Sequence, residues 1–191
     1  MNVFEYIVSI HSIVLGLAIA SLLSTFAEQL KQRDMAQVDW LHSLWCLSLL
    51  FHILSGWWGY WYSFEEADSM SIFTFAYSFQ FSIAMYLCAR LLSLETRDGS
   101  REVPTENLFL QVKTPFLIVF AYGMFTWALA TLLGVYTDHE AQPLDSWLSS
   151  AFYFSLILVA LVSNRKLIQG FIAATLLILQ VASEVAQGAL G

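Results

Sequence analysis

The sequence predicts an all-α fold, a polytopic transmembrane helical bundle of six membrane-spanning helices with the N-terminus and C-terminus outside. Three observations predict it. Hydrophobic residues make up 58% of the chain and charged residues 12%, against roughly 45–50% and roughly 25% in soluble domains. The mean hydropathy is +0.65. Six stretches without Asp, Glu, Lys or Arg each approach the roughly 20 residues that a helix needs to cross hydrocarbon, and all Lys and Arg fall in alternate connections between them.

The composition also removes other classes. Aromatic residues at 16% exclude a disordered chain, and two cysteines exclude a disulfide scaffold. The net charge of −7 comes with no basic run, so no nucleic acid is expected as a partner. The expected surroundings are the lipid bilayer, with a homo-oligomer or a membrane partner subunit as further company.

The elements follow in order. The first span is 6–27. No Lys or Arg precedes it, so it lacks the positive start of a signal peptide and is expected to be retained. The second, 40–64, has Trp40 at one end and Trp57, Trp58, Tyr60, Trp61 and Tyr62 at the other, as aromatic rings favour both membrane interfaces. The third is 69–89 and the fourth 114–137. The fifth, 146–164, is diluted at its start by Ser146, Ser149 and Ser150. The sixth, 167–183, follows a tight turn at Arg165 and Lys166. Residues 1–191 then form a single integral membrane domain.

Orientation comes from the cations. Lys31 and Arg33 lie in the first connection; Arg90, Arg97, Arg101 and Lys113 lie in or beside the third; Arg165 and Lys166 lie in the fifth. The second connection (Glu65, Glu66, Asp68) and the fourth (Asp138, His139, Glu140, Asp145) carry no Lys or Arg. Cytoplasmic loops hold the excess of basic residues, so the odd connections are expected inside. The third, 93–113, is the longest polar piece. Its Asp98-Gly99-Ser100 turn and Pro104 break any continuous helix there.

Small residues mark candidate packing faces. Ser12, Gly16, Ala20 and Ser24 recur every fourth position in the first span, and Gly170 and Ala174 do so in the sixth. Such spacing lets helix backbones approach closely in lipid, so both faces are expected to point inward.

The candidate binding residues are Glu5, His11, His52, Gln180 and Glu184. At 1.5 Å per residue they occupy the outer half of the membrane on three spans. Ionisable groups at that depth are rare and default to function. Carboxylates and a glutamine carbonyl suit a cation or a shared proton, and histidine titrates near neutral pH. His11 and His52 also stand at comparable depth on different spans, as the two axial ligands of a b-type haem require. Otherwise no cofactor is expected. No phosphate loop, zinc-binding helix or nucleophile elbow is present, so no catalytic or metal-binding residues are expected and the balance tips against an enzyme while leaving the question open. Cys46 and Cys88 read as small packing residues.

Phe4-Glu5-Tyr6, the run from Ser12 to Leu17, and His52 followed by Trp57-Trp58 resemble an uncharacterised family of small multi-pass bacterial inner-membrane proteins. The likeness covers about the first third of the chain, implies a multi-pass inner-membrane location, and carries no activity, ligand or site residue.

The leading functional expectation is a small transporter or channel-type protein, or an accessory subunit of one, with an outward-facing polar pocket. A structural or partner-binding membrane protein that docks a cytosolic partner through 93–113 is the alternative, and a haem protein using His11 and His52 the third.

Overall fold

The computed structural model describes residues 3–31, 39–64, 71–93, 108–132 and 144–188. They form six helices: α1 (Val3–Lys31), α2 (Trp40–Phe64), α3 (Ile72–Leu92), α4 (Leu108–Leu132), α5 (Leu144–Val162) and α6 (Lys166–Gly188). No strand occurs among the described residues. Four stretches, Glu5–Lys31, Ile72–Leu92, Leu108–Ala130 and Lys166–Val185, are long and apolar enough to cross a membrane, and Leu148–Val162 is a shorter apolar helix.

Helix ends follow local chemistry. Asp39 accepts the Leu41 N–H at 3.1 Å and starts α2; the Ser71 hydroxyl accepts the Thr74 N–H at 3.1 Å and starts α3. Both satisfy amides that a first turn leaves open. Two boundaries differ from the charge gaps in the sequence. Helix α3 runs through Arg90 to Leu92, and α4 begins at Leu108, before Lys113. A charge ends an apolar run but does not end a helix. Lys113 is 4% exposed and its ammonium donates to Leu161 O at 3.0 Å, Ser163 O at 2.9 Å and Asn164 Oδ1 at 2.7 Å. Those carbonyls belong to the end of α5, where a cation meets the negative pole of the helix. Gln169 adds two donations from Nε2, to Ala160 O at 2.5 Å and Ser163 O at 2.7 Å. The α5–α6 hairpin is thereby tied to α4.

Helix α2 is the hub. It packs against α1, α3, α4 and α6, while α1–α3, α3–α4, α4–α5 and α5–α6 pack around it. Among the described residues α1 and α6 make no contact with each other. Between them α2 presents one outward stripe: Trp40, Leu47, Leu54, Trp58 and Trp61. Its other sides are buried against aromatic rings. Trp45 stacks on Phe109 of α4 at 5.0 Å and meets Phe116 edge-on at 5.3 Å. Further along, Tyr60 meets Phe81 of α3 and Trp127 of α4 edge-on at 6.0 and 5.5 Å. Glycines admit these rings: a Cβ on Gly56 would come within 2.3 Å of Phe81, and one on Gly59 within 2.7 Å of Trp127.

The packing faces expected from small residues divide. Gly170 is buried beneath the Trp40 ring, which a Cβ there would meet at 2.5 Å, and Ala174 beside it is half-buried. The stripe on α1 faces the other way, which corrects the inward placement expected for it. Gly16, Ala20 and Ser24 are exposed and Ser12 is half-buried; nothing lies within 4 Å of the position a Gly16 Cβ would take. The face that α1 buries is instead Ile7, His11, Leu15, Ala18, Leu22, Thr25 and Gln29. Larger apolar side chains fill the seam and leave the small ones outside. Ser12, at its edge, accepts the Trp57 indole N–H at 2.8 Å.

Candidate functional site

The five residues expected to line one pocket fall into two seams on different sides of α2. The first lies among α1, α2 and α3. His11 is buried there. Its Nδ1 lies 2.8 Å from Ile7 O one turn back, which only an N–H satisfies, so Nδ1 carries the proton. Its Nε2 lies 3.3 Å from the Ser78 hydroxyl of α3. The imidazole packs on Tyr60 at 4.2 Å and against Phe75 and Phe79 at 6.0 and 5.5 Å. Tyr60 donates to Ser78 O at 2.5 Å and locks the group. Glu5 is exposed at the start of the same helix, its backbone carbonyl accepting the Ser9 hydroxyl at 2.6 Å.

The second seam lies among α2, α4, α5 and α6. His52 is buried; its Nδ1 donates to Ser48 O at 2.7 Å. That bond fixes the same tautomer as in His11 and leaves Nε2 as a bare acceptor. Among the described residues no hydrogen-bonding group reaches it. Phe120 and Tyr153 stand edge-on to the ring at 5.1 and 6.2 Å. The Tyr153 hydroxyl lies 3.3 Å from Leu176 O and 3.4 Å from Gln180 Oε1, and Gln180 Nε2 donates to Glu184 Oε1 at 3.2 Å. Glu184 is half-buried. His52, Tyr153, Gln180 and Glu184 thus follow one another from the core of the bundle to the C-terminal end of α6.

The row continues along α2 toward its N-terminal end. Among the described residues Ser48 Oγ and Trp45 Nε1 also find no partner, as do Ser21 Oγ, Asp39 Oδ2, Ser82 Oγ and Gln169 Oε1 elsewhere. Positions 45, 48 and 52 share one face of a helix with 3.6 residues per turn. Three unpartnered polar atoms on one face are unusual, because each costs about 1–3 kcal/mol when left unsatisfied. Buried atoms of this kind normally bond ordered water.

At the start of α2 a third polar group is closed. His42 Nε2 donates to Leu92 O at 2.9 Å and its Nδ1 accepts from Gln29 Nε2 at 2.8 Å, while the Ser43 hydroxyl donates to Gln29 Oε1 at 2.8 Å. This joins the ends of α1, α2 and α3 and leaves the imidazole no open position. Cys46 and Cys88 are buried free thiols.

The haem expectation needs two imidazoles facing one space. His11 and His52 instead occupy separate seams, each bonded to its own helix and lined by aromatic rings. No group of three His, Cys, Asp or Glu suited to a metal occurs among the described residues. Of the loop 93–113, residues 94–107 lie outside the described residues and 108–113 are the first turns of α4. The sequence places Ser48 with His52, Gly56 and Gly59 on one side of the second span; it offers no reason to add Trp45 or Tyr153. The spacing of Trp45 with His52 on α2 was visible; Tyr153 had no signal. The chain matches no protein family, no curated protein and no solved structure, so only its own side chains bear on its function.

Proposed function

We propose that the chain is a six-span inner-membrane protein with both termini outside, and that it passes protons, or a small cation moving with them, along the second seam. The alternation of basic and acidic connections supports that orientation. It puts Glu184 at the external mouth, Lys113 and Gln169 at the cytoplasmic end, and His52 between them. Glu184 collects the cation from the external face. Gln180 and Tyr153 relay it, since an amide and a phenol each both donate and accept. His52 takes a proton on Nε2 while Nδ1 stays bonded to Ser48 O, and water held by Ser48 and Trp45 carries the path inward.

The observation that carries this reading is the run of buried, unpartnered atoms on α2, Nε2 of His52, Oγ of Ser48 and Nε1 of Trp45, in line with Tyr153, Gln180 and Glu184. The imidazoles of His11 and His42, by contrast, each have a polar group at both ring nitrogens. The test is proton flux into proteoliposomes carrying a pH-sensitive dye, under an imposed potential. The wild type should exceed protein-free vesicles, and His52→Leu should return flux to that background. Equal flux with and without the wild-type protein sinks the proposal.

A further inference from the structure

The surface shared by α3 and α4 carries a feature that the proton path does not use. Along α3 the outward positions include Phe73, Ala76, Ile83 and Leu87; along α4 they include Ile118 and Phe125. Between Phe73 and Leu87 of α3 and between Ile118 and Phe125 of α4 the exposed positions are apolar except at the centre; Arg90, Gln111 and Thr114 are exposed nearer the other end. At the centre the Tyr122 hydroxyl donates to Gln80 Oε1 across the two helices. Tyr122 is 48% exposed and Gln80 is half-buried. Among the described residues the Gln80 amide nitrogen, with two N–H donors, has no acceptor.

Depth makes this a problem that lipid cannot solve. Gln80 is eight residues from Ile72 and Tyr122 ten from Leu132, so both lie about 12–15 Å in from the same end of the bundle. Helices α3 and α4 both contain stretches able to cross a membrane. Hydrocarbon offers no hydrogen bonds, and polar side chains at such depth almost always face protein or water.

We propose that this surface is the interface of a homodimer, with Gln80 of one copy bonded to Gln80 of the other about a two-fold axis along the membrane normal. Two features select a second copy over another occupant. A primary amide carries donor and acceptor in one plane, so two of them satisfy each other reciprocally, as an isologous contact requires. Copies inserted in the same orientation also bring Gln80 to the same depth without further design. Ala76, one turn from Gln80, leaves room for the two α3 backbones to approach. The inference rests on α3 and α4 crossing the membrane and is independent of proton movement.

The experiment is subunit counting of the labelled full-length chain in liposomes by photobleaching, across a dilution series in lipid. The wild type should be dimeric. Gln80→Leu should weaken association about tenfold, the loss expected for two amide hydrogen bonds in a bilayer. Ala20→Leu, on the outward stripe of α1, should leave it unchanged. A second readout does not depend on that variant: Ala76→Cys in native membranes should form a disulfide to itself on mild oxidation. The wild type should form none, since Cys46 and Cys88 are buried. A monomeric wild type, a dimer unaffected by Gln80→Leu, a dimer lost with Ala20→Leu, or an Ala76→Cys cross-link only to a different protein would each overturn the proposal.

Discussion

His11 and His52 are the same residue type on neighbouring helices, both buried, both holding a proton on Nδ1 against the carbonyl one turn back. They differ only in what meets the other nitrogen. Ser78 stands beside Nε2 of His11, with Tyr60 bonded to the same residue. Among the described residues no hydrogen-bond partner meets Nε2 of His52. The first imidazole closes a seam and the second leaves one open. An identical side chain is therefore structural in one place and available in the other, and the distinction comes entirely from helices remote in sequence.

Variants that break this contrast should act on different measurements. The largest change in stability should come from His11→Leu. It removes two hydrogen-bonding groups and an aromatic ring from a packed site, which costs about 2–4 kcal/mol, while Ser78 keeps its donation to Phe75 O. Chemical unfolding in mixed micelles reads this. His52→Leu should alter stability by less than about 1 kcal/mol, because it loses one bond but also removes an unsatisfied atom. Its proton flux should fall to the protein-free level. If both variants destabilise equally and neither changes flux, the two seams are alike and the contrast fails.

Gly59→Ala comes next. Its Cβ would stand 2.7 Å from the Trp127 ring, and forced repacking of this kind costs about 1–3 kcal/mol. Gly16→Ala has open space and should raise stability by about 0.5–1 kcal/mol through helix propensity. A comparable loss at both glycines would contradict the outward placement of the α1 stripe. The two carboxylates give the finest distinction. Glu184→Gln should lower flux about threefold to tenfold, an effect of roughly 0.7–1.4 kcal/mol on the limiting step. Glu5→Gln, on the closed side, should leave flux within about twofold. A larger effect at Glu5 would move the entrance to the α1 side.

Much of the fold could be read from where the charges are missing. The range 40–64 is α2, and the tight turn at Arg165 and Lys166 leads directly into α6. The differences have two causes. Ending a span at Arg90 or Lys113 treats each charge as a boundary, yet a cation near a helix end is held by its own chain when carbonyls are within reach, as Lys113 is. Reading Ser12, Gly16, Ala20 and Ser24 as an inward seam used spacing alone. Spacing says which residues share a face, not which face meets another helix. At Gly170 the same reasoning met a real partner, because Trp40 needs the space.

The amino-acid sequence by itself determined that this chain is helical and apolar enough for a bilayer, and where its cations sit. Those properties sum over local residues and need no partner. Only the tertiary structure decided that His11 is closed and His52 open, that Tyr153 joins His52 to Gln180 and Glu184, and that the small residues of α1 face away. Each of those depends on atoms brought from other helices, and a hydrogen bond across two helices is invisible until both are in place.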